Sequence, residues 1–217
     1  MRYRLATGLV GVGLLAMSVP PVAADRLPIV APGDRITIAS AATRTVCTLG
    51  WTYTANNGRV YGLTAGHCTP GQIVRVTGSG ARGQFAGQAH DTTEAGAADY
   101  ALVDFGRDAI NYAYLENSRT SITDRTYIDT GVEVCRTGVT TGTHCGEVSG
   151  SYGRHQFLTS GMSPSAPGDS GGPVWRRISP GRVEIVGIWL GWHTSDDGTE
   201  YGRFVNIRRA FEYFGVM

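Results

Sequence analysis

The 217-residue chain contains no lysine, so its 19 basic residues are all arginine, a composition bias that by itself says nothing of function. Charge is scarce too: 17% of residues are charged, and the formal net charge is +1. Long hydrophobic runs are lacking beyond the first stretch. Residues 1–24 open on Arg2 and Arg4, continue through an apolar run from Leu5 to Val19 and end on Val22, Ala23 and Ala24, the pattern of a cleaved signal peptide. That run is shorter than the ~20 residues a spanning helix needs, and no later segment is long and apolar enough, so no membrane span is expected in the mature chain; an uncleaved anchor is the alternative. Removing residues 1–24 takes away two arginines and no acids, which moves the formal charge from +1 to −1. A nearly neutral chain offers no basic footprint for nucleic acid and no polybasic patch for a membrane surface.

Cysteine is limited to Cys47, Cys68, Cys135 and Cys145, all in the exported part. An even count in an oxidising compartment favours disulfides, and four cysteines allow three pairings. There is no Cys-x2-Cys pair, and His67 beside Cys68 lacks partners at ligand spacing, so neither a metal nor another cofactor is expected. The sequential pairing would close two short loops, each worth about 2–4 kcal/mol.

Helical periodicity is almost absent. Runs rich in Val, Ile, Thr and aromatics alternate with Gly, Asn, Asp and Pro: Thr45 to Thr54, Arg59 to Thr64, Gln72 to Thr77, Asp99 to Phe105, Tyr127 to Val134, His155 to Thr159, Pro173 to Arg176 and Val183 to Trp192. Many short strands without intervening helices indicate an all-β sandwich or barrel and disfavour a parallel α/β fold. Asn57-Gly58 signals a hairpin with a tight primed turn. Residues 106–124 break the pattern and read as a connection between two β halves. Only the last segment reads as helix, with Asn206 as N-cap and Ile207, Ala210, Phe211 and Phe214 at helical spacing.

What is present is chemistry. In Gly168-Asp169-Ser170-Gly171-Gly172-Pro173 a serine sits on a glycine-flanked turn. A serine hydroxyl is a weak nucleophile and needs a base beside it and backbone N–H groups free to bind the oxyanion that forms; the N–H groups of Gly168 and Ser170 are the candidate donors. Thr64-Ala65-Gly66-His67-Cys68 supplies the base, since this histidine follows a strand and adjoins a cysteine that would tether its turn. His90, His144, His155 and His193 lack such a frame and read as structural. Asp99 heads the apolar run Tyr100-Ala101-Leu102-Val103, where a partly buried carboxylate can orient an imidazole; Asp91, Asp104 and Asp108 are its rivals.

These three motifs occur in the order His, Asp, Ser, and over nearly its whole mature length the chain resembles the chymotrypsin-type serine proteases. It is most similar to their bacterial branch of streptogrisin-like and α-lytic-protease-like enzymes, through Val134-Cys135-Arg136-Thr137-Gly138 and Thr140-Thr141-Gly142-Thr143-His144-Cys145-Gly146. The resemblance implies two antiparallel β-barrels with the active site in the cleft between them and a short C-terminal helix. Residues 25–217 would form the protease domain, with barrels over about 35–115 and about 125–205 and the helix over about 206–214. It also implies the pairs Cys47–Cys68 and Cys135–Cys145. Asp169 would be buried beside Ser170 and need a cation, because an unpaired buried carboxylate is costly; Asp25-Arg26-Leu27-Pro28 does not look like an end that inserts to supply one, and the bacterial branch points to Arg136.

The chain departs from the family pattern in four places. A long pro-segment is lacking, and so is a third disulfide near the pocket. The pocket strand carries Leu190-Gly191-Trp192 where a serine and two glycines are expected, so Leu190 cannot donate a hydrogen bond to the catalytic aspartate and Trp192 could close the pocket. The pocket floor around Pro164 and Ser165 holds no acid, which argues against cleavage after Arg or Lys and for a small or apolar residue there. The expected function is that of a secreted, monomeric serine endopeptidase acting on protein or peptide substrates through an acyl-enzyme. The alternative is a secreted protease-fold binding protein with impaired catalysis. An α/β-hydrolase esterase also matches G-x-S-x-G, but it requires the order Ser, acid, His with helices between strands.

Overall fold

The computed structural model describes residues 26–41 and 43–215, so the expected signal peptide at 1–24 lies outside the described residues. The strands are β1 (Ile29–Val30), β2 (Arg35–Ala39), β3 (Arg44–Thr48), β4 (Trp51–Thr54), β5 (Val60–Thr64), β6 (Ile73–Val76), β7 (Arg82–His90), β8 (Asp99–Gly106), β9 (Ile110–Asn111), β10 (Tyr114–Leu115) and β11 (Ser118–Ile122). They continue as β12 (Glu133–Gly138), β13 (Gly142–Tyr152), β14 (Gln156–Ser160), β15 (Pro173–Ser179), β16 (Arg182–Thr194) and β17 (Glu200–Asn206), followed by helix α1 (Ile207–Phe214).

Strands β3-β2-β6-β7-β8-β5-β4 form one curled sheet, a half-barrel, and β10-β11-β16-β15-β12-β13-β14-β17 form a second that closes through a β16–β17 pairing. The architecture is the chymotrypsin-like two-barrel fold. Period-2 alternation explains the curled sheet: Ile36 and Ile38 of β2 and Val74 and Val76 of β6 point inward while Thr37 and Arg75 between them point out. Strand β8 is different. It lies in the middle of the sheet, between β7 and β5, and is buried from Asp99 through Val103, which makes it a rigid base for the carboxylate at its head.

Helix α1 begins where the side chain of Asn206 accepts a hydrogen bond from Arg209 N and ends at Gly215 in a left-handed C-cap. Its buried face, Ile207, Ala210 and Phe211, belongs to the core of the first half, so the C-terminal element fastens the two halves together.

Several segments differ from the sequence reading. The run Thr45 to Thr54 divides into β3 and β4 at Leu49-Gly50, where Leu49 N donates to Asp34 O and Gly50 N to Leu63 O. The loop before β5 is wider than a two-residue primed turn: Gly58 N donates to Ala55 O and Ala55 N to Arg59 O, and only Gly58 has positive φ. Residues 106–124 are more than a connection, because β9, β10 and β11 lie there and β11 pairs in parallel with β16. The run at Tyr127 yields a strand only from Glu133, since residues 127–132 turn over the second core with Ile128 buried in it.

Candidate active site

His67 sits in a single 3-10 turn, Gly66–Cys68, directly after β5. The turn is held by Cys68 N donating to Ala65 O, Thr69 N to Gly66 O and Thr69 Oγ1 to Gly66 O, and it is pinned to β3 by the disulfide Cys47–Cys68. A side chain at position 66 would meet Ala89 O at 2.3 Å and Asp99 Oδ1 at 2.9 Å, so only glycine lets the turn approach β8 this closely. The consequence is contact with Asp99, which is 4% exposed. Its Oδ1 accepts the backbone N–H of His67 and its Oδ2 bonds His67 Nδ1, both at 2.8 Å.

With Nδ1 donating to Asp99, a neutral His67 ring leaves Nε2 unprotonated. Burial raises the pKa of Asp99, but the hydrogen bonds and charge of His67 and the charge of His90 outweigh it and hold the carboxyl below its usual range. The rival acids are engaged elsewhere or exposed: Asp104 pairs with Arg59, Asp91 accepts from Thr93, and Asp108 faces solvent.

Ser170 lies on the turn before β15. Its carbonyl accepts from Thr48 N at 2.8 Å, and Cys68 Sγ lies 3.9 Å from the same oxygen. Thr48 follows Cys47 and His67 precedes Cys68, so the serine and histidine loops meet across one disulfide. On the other flank Gly171 N donates to Trp189 O and Trp189 N to Gly172 O. The hydroxyl of Ser170 and Nε2 of His67 are not hydrogen-bonded to each other; in ligand-free sites such bonds are often long and tighten only with substrate. Gly168 has φ +106°, and a side chain there would meet Thr140 Oγ1 at 2.4 Å. Among the described residues the N–H groups of Gly168 and Ser170 have no acceptor.

Asp169, 1% exposed, points away from Ser170 into a cage of donors. Its Oδ1 accepts from Thr140 N and Thr141 N, and its Oδ2 from Thr141 Oγ1 at 2.6 Å, Ala166 N at 3.0 Å and Arg136 NH1 at 3.4 Å. Burial raises its pKa, yet the hydrogen bonds from the Thr141 hydroxyl and from the backbone of Ala166, Thr140 and Thr141 prevail and hold the carboxyl low. Arg136 is fully buried, donates through its other nitrogen to the carbonyls of Ser163 and Pro164, and stacks 5.1 Å over the Trp189 ring. One guanidinium therefore braces both the serine turn and the segment holding Pro164 and Ser165. The second disulfide, Cys135–Cys145, joins β12 and β13 next to it.

The three residues expected to form the pocket strand take different directions. Leu190 is a bulge residue, skipped in the β16–β17 register between Trp189 and Gly191, and it is buried with the core of the first half. Gly191 is half-buried at φ +117°. Trp192 packs against the second core, edge-on to Trp189 at 6.1 Å.

Two contributors escaped the sequence reading. His90, at the end of β7, places Nδ1 3.2 Å from Asp99 Oδ1, and its ring centre lies 6.1 Å from that of His67. Asp99 thus has a second polar neighbour, which arrives from another strand. Thr48 is the other, donating through Oγ1 to Gly168 O while accepting from Val139 N. Neither carries a local motif; only the β7–β8 pairing of His90 with Asp99 reveals the first.

No family model matches the chain. An uncharacterized protein of Mycobacterium tuberculosis is 32% identical over 189 residues, covering 82% of this chain and 81% of that protein. Serine protease 2 of Streptomyces fradiae is 34% identical over 140 residues, covering 59% of this chain and 79% of the relative. Thermobifida fusca Protease A superposes with a TM-score of 0.63 at 21% identity, covering 86% of this chain and 96% of its own. The chain belongs to the chymotrypsin-type serine proteases, and an α-lytic protease homologue is among the solved structures whose fold it shares.

Proposed function

We propose that the protein is a secreted serine endopeptidase working through an acyl-enzyme. Ser170 Oγ attacks the scissile carbonyl while His67 Nε2 takes its proton, and Asp99 holds Nδ1–H and stabilises the imidazolium. The oxyanion is received by the N–H groups of Gly168 and Ser170. His67 then returns the proton to the departing amine, and a water activated by the same imidazole hydrolyses the ester. Asp169 and Arg136 keep the serine turn assembled without proteolytic activation. Residues 1–24 serve as the export signal and 25–217 as the protease domain, a monomer with barrels at about 35–115 and about 125–205. The disulfides fit export to an oxidising compartment. The segment at Pro164 and Ser165 and the strand Leu190, Gly191 and Trp192 form the specificity pocket, which takes a small or apolar residue.

The observation that carries this reading is the bond between His67 Nδ1 and Asp99 Oδ2 at 2.8 Å in a loop tied by one disulfide to the strand that receives Ser170. Hydrolysis of chromogenic peptides bearing Ala, Val or Phe before the reporter tests it. Wild type should turn over, and Ser170→Ala should lose about a millionfold in kcat. Leu190 and Trp192 favour a second reading, a binding protein on a protease scaffold, which equal and negligible rates in both proteins would support.

A further inference from the structure

The outward face of four adjacent strands carries an arginine on each: Arg44 on β3, Arg35 on β2, Arg75 on β6 and Arg82 on β7. All four line one open groove of about 740 Å³, and neither Asp nor Glu lines it. The register sets Arg75 directly opposite Arg82. Like charges facing each other on antiparallel strands are destabilising. Among the described residues none of these four pairs with a carboxylate, so no acid of the chain offsets the charge they bring to one groove. The fold thus gathers positive charge on one face and leaves its neutralisation to something outside the chain.

Two further features say what that is. Ile73, 58% exposed, and Val46 lie in the same groove, so its lining is amphipathic, which suits a peptide better than a uniformly anionic polymer. The groove also begins at the site. Val46 Cγ1 would be 3.5 Å from a Cβ at Gly168, and Arg35 donates to Val139 O, whose residue's N–H bonds the Thr48 hydroxyl that itself reaches Gly168 O. Ser170 stands between β3 on this side and β16, the pocket strand, on the other. With the acyl part of a substrate on the β16 side, the departing part runs along β3.

Resting on the protease reading above, we propose that this groove binds the segment following the cleaved bond and selects segments rich in Asp and Glu around an apolar residue. The test is fluorescence anisotropy with full-length Ser170→Ala protein and a labelled peptide carrying an Asp/Glu run with one Leu, against its Asn/Gln counterpart. The acidic peptide should bind tighter by about tenfold at low salt and lose that advantage near 0.5 M salt. The triple change Arg44→Gln, Arg75→Gln and Arg82→Gln, which spares Arg35 and its bond to Val139, should erase the difference. Equal binding of the two peptides, unchanged binding by the triple variant, or binding of a sulfated polysaccharide but not the peptide would overturn the proposal. Wild-type protein should cut a longer version on the N-terminal side of the acidic run; a cut on its C-terminal side contradicts the placement. Acid-selective binding without any cleavage would support the groove and count against the protease reading instead.

Discussion

Each half of the molecule buries one carboxylate near the cleft, and the two are used differently. Asp99 is 4% exposed and Asp169 is 1% exposed, and both are held below the ordinary carboxylate range. Asp169 is enclosed by backbone N–H groups, a threonine hydroxyl and the permanently charged Arg136. Asp99 faces two imidazoles, His67 and His90. Asp169 is thus fixed by donors that hold one turn in place, whereas Asp99 is bonded to the imidazole that takes up a proton in the proposed mechanism.

The sharpest way to break this contrast is to neutralise each acid in place. Asp99→Asn should lower kcat about ten-thousandfold by fixing the wrong tautomer of His67, with a smaller loss of thermal midpoint than Arg136→Ala. The opposite pattern, unfolding with residual activity intact, would assign Asp99 to the scaffold. Arg136→Ala should act on the scaffold first: it strands the Asp169 carboxylate and costs about 3–5 kcal/mol, near 10 °C in thermal midpoint for a chain of this size. Turnover of an acyl substrate should fall with it as the serine turn loosens, and unchanged turnover would refute the bracing role.

Acid should expose the shared feature. Both carboxyls have a folded pKa below the unfolded value of about 3.9, so their contribution is complete above that pH and is lost as pH falls through the folded values. Unfolding followed by circular dichroism from neutral pH downward should show a stability loss beginning near pH 4, and in Asp169→Asn the loss should begin at the same pH but be smaller. The smallest effect is expected at His90. Replacing it with Ala removes a half-exposed neighbour of Asp99 and should slow kcat by about two- to fivefold with KM unchanged, with partial rescue by His90→Gln; a KM effect alone would place His90 in substrate contact instead.

The strands that surround the site were legible where apolar residues were dense. Asp99–Gly106 and Arg182–Thr194 are central and buried on both faces, and they read plainly. Arg82–His90 and Gly142–Tyr152 are edge-like in composition, RGQFAGQAH and GTHCGEVSGSY, and their pairing comes from neighbours rather than from their own pattern. For that reason His90 carried no signal: its partner is nine residues away in sequence and meets it only through the β7–β8 register. The arginine groove was hidden by the opposite route. A net charge near zero excludes a basic chain, not a local concentration of arginines drawn from four strands that are scattered between residues 35 and 90.

The most direct measurement is labelling with a fluorophosphonate probe followed by peptide mapping on wild type, Ser170→Ala and His67→Ala. The expected result is a single covalent adduct on Ser170 in wild type, none in Ser170→Ala and severely slowed labelling in His67→Ala. A folded wild-type protein that never labels at Ser170, or labels equally fast without His67, would contradict the assignment of an activated nucleophile.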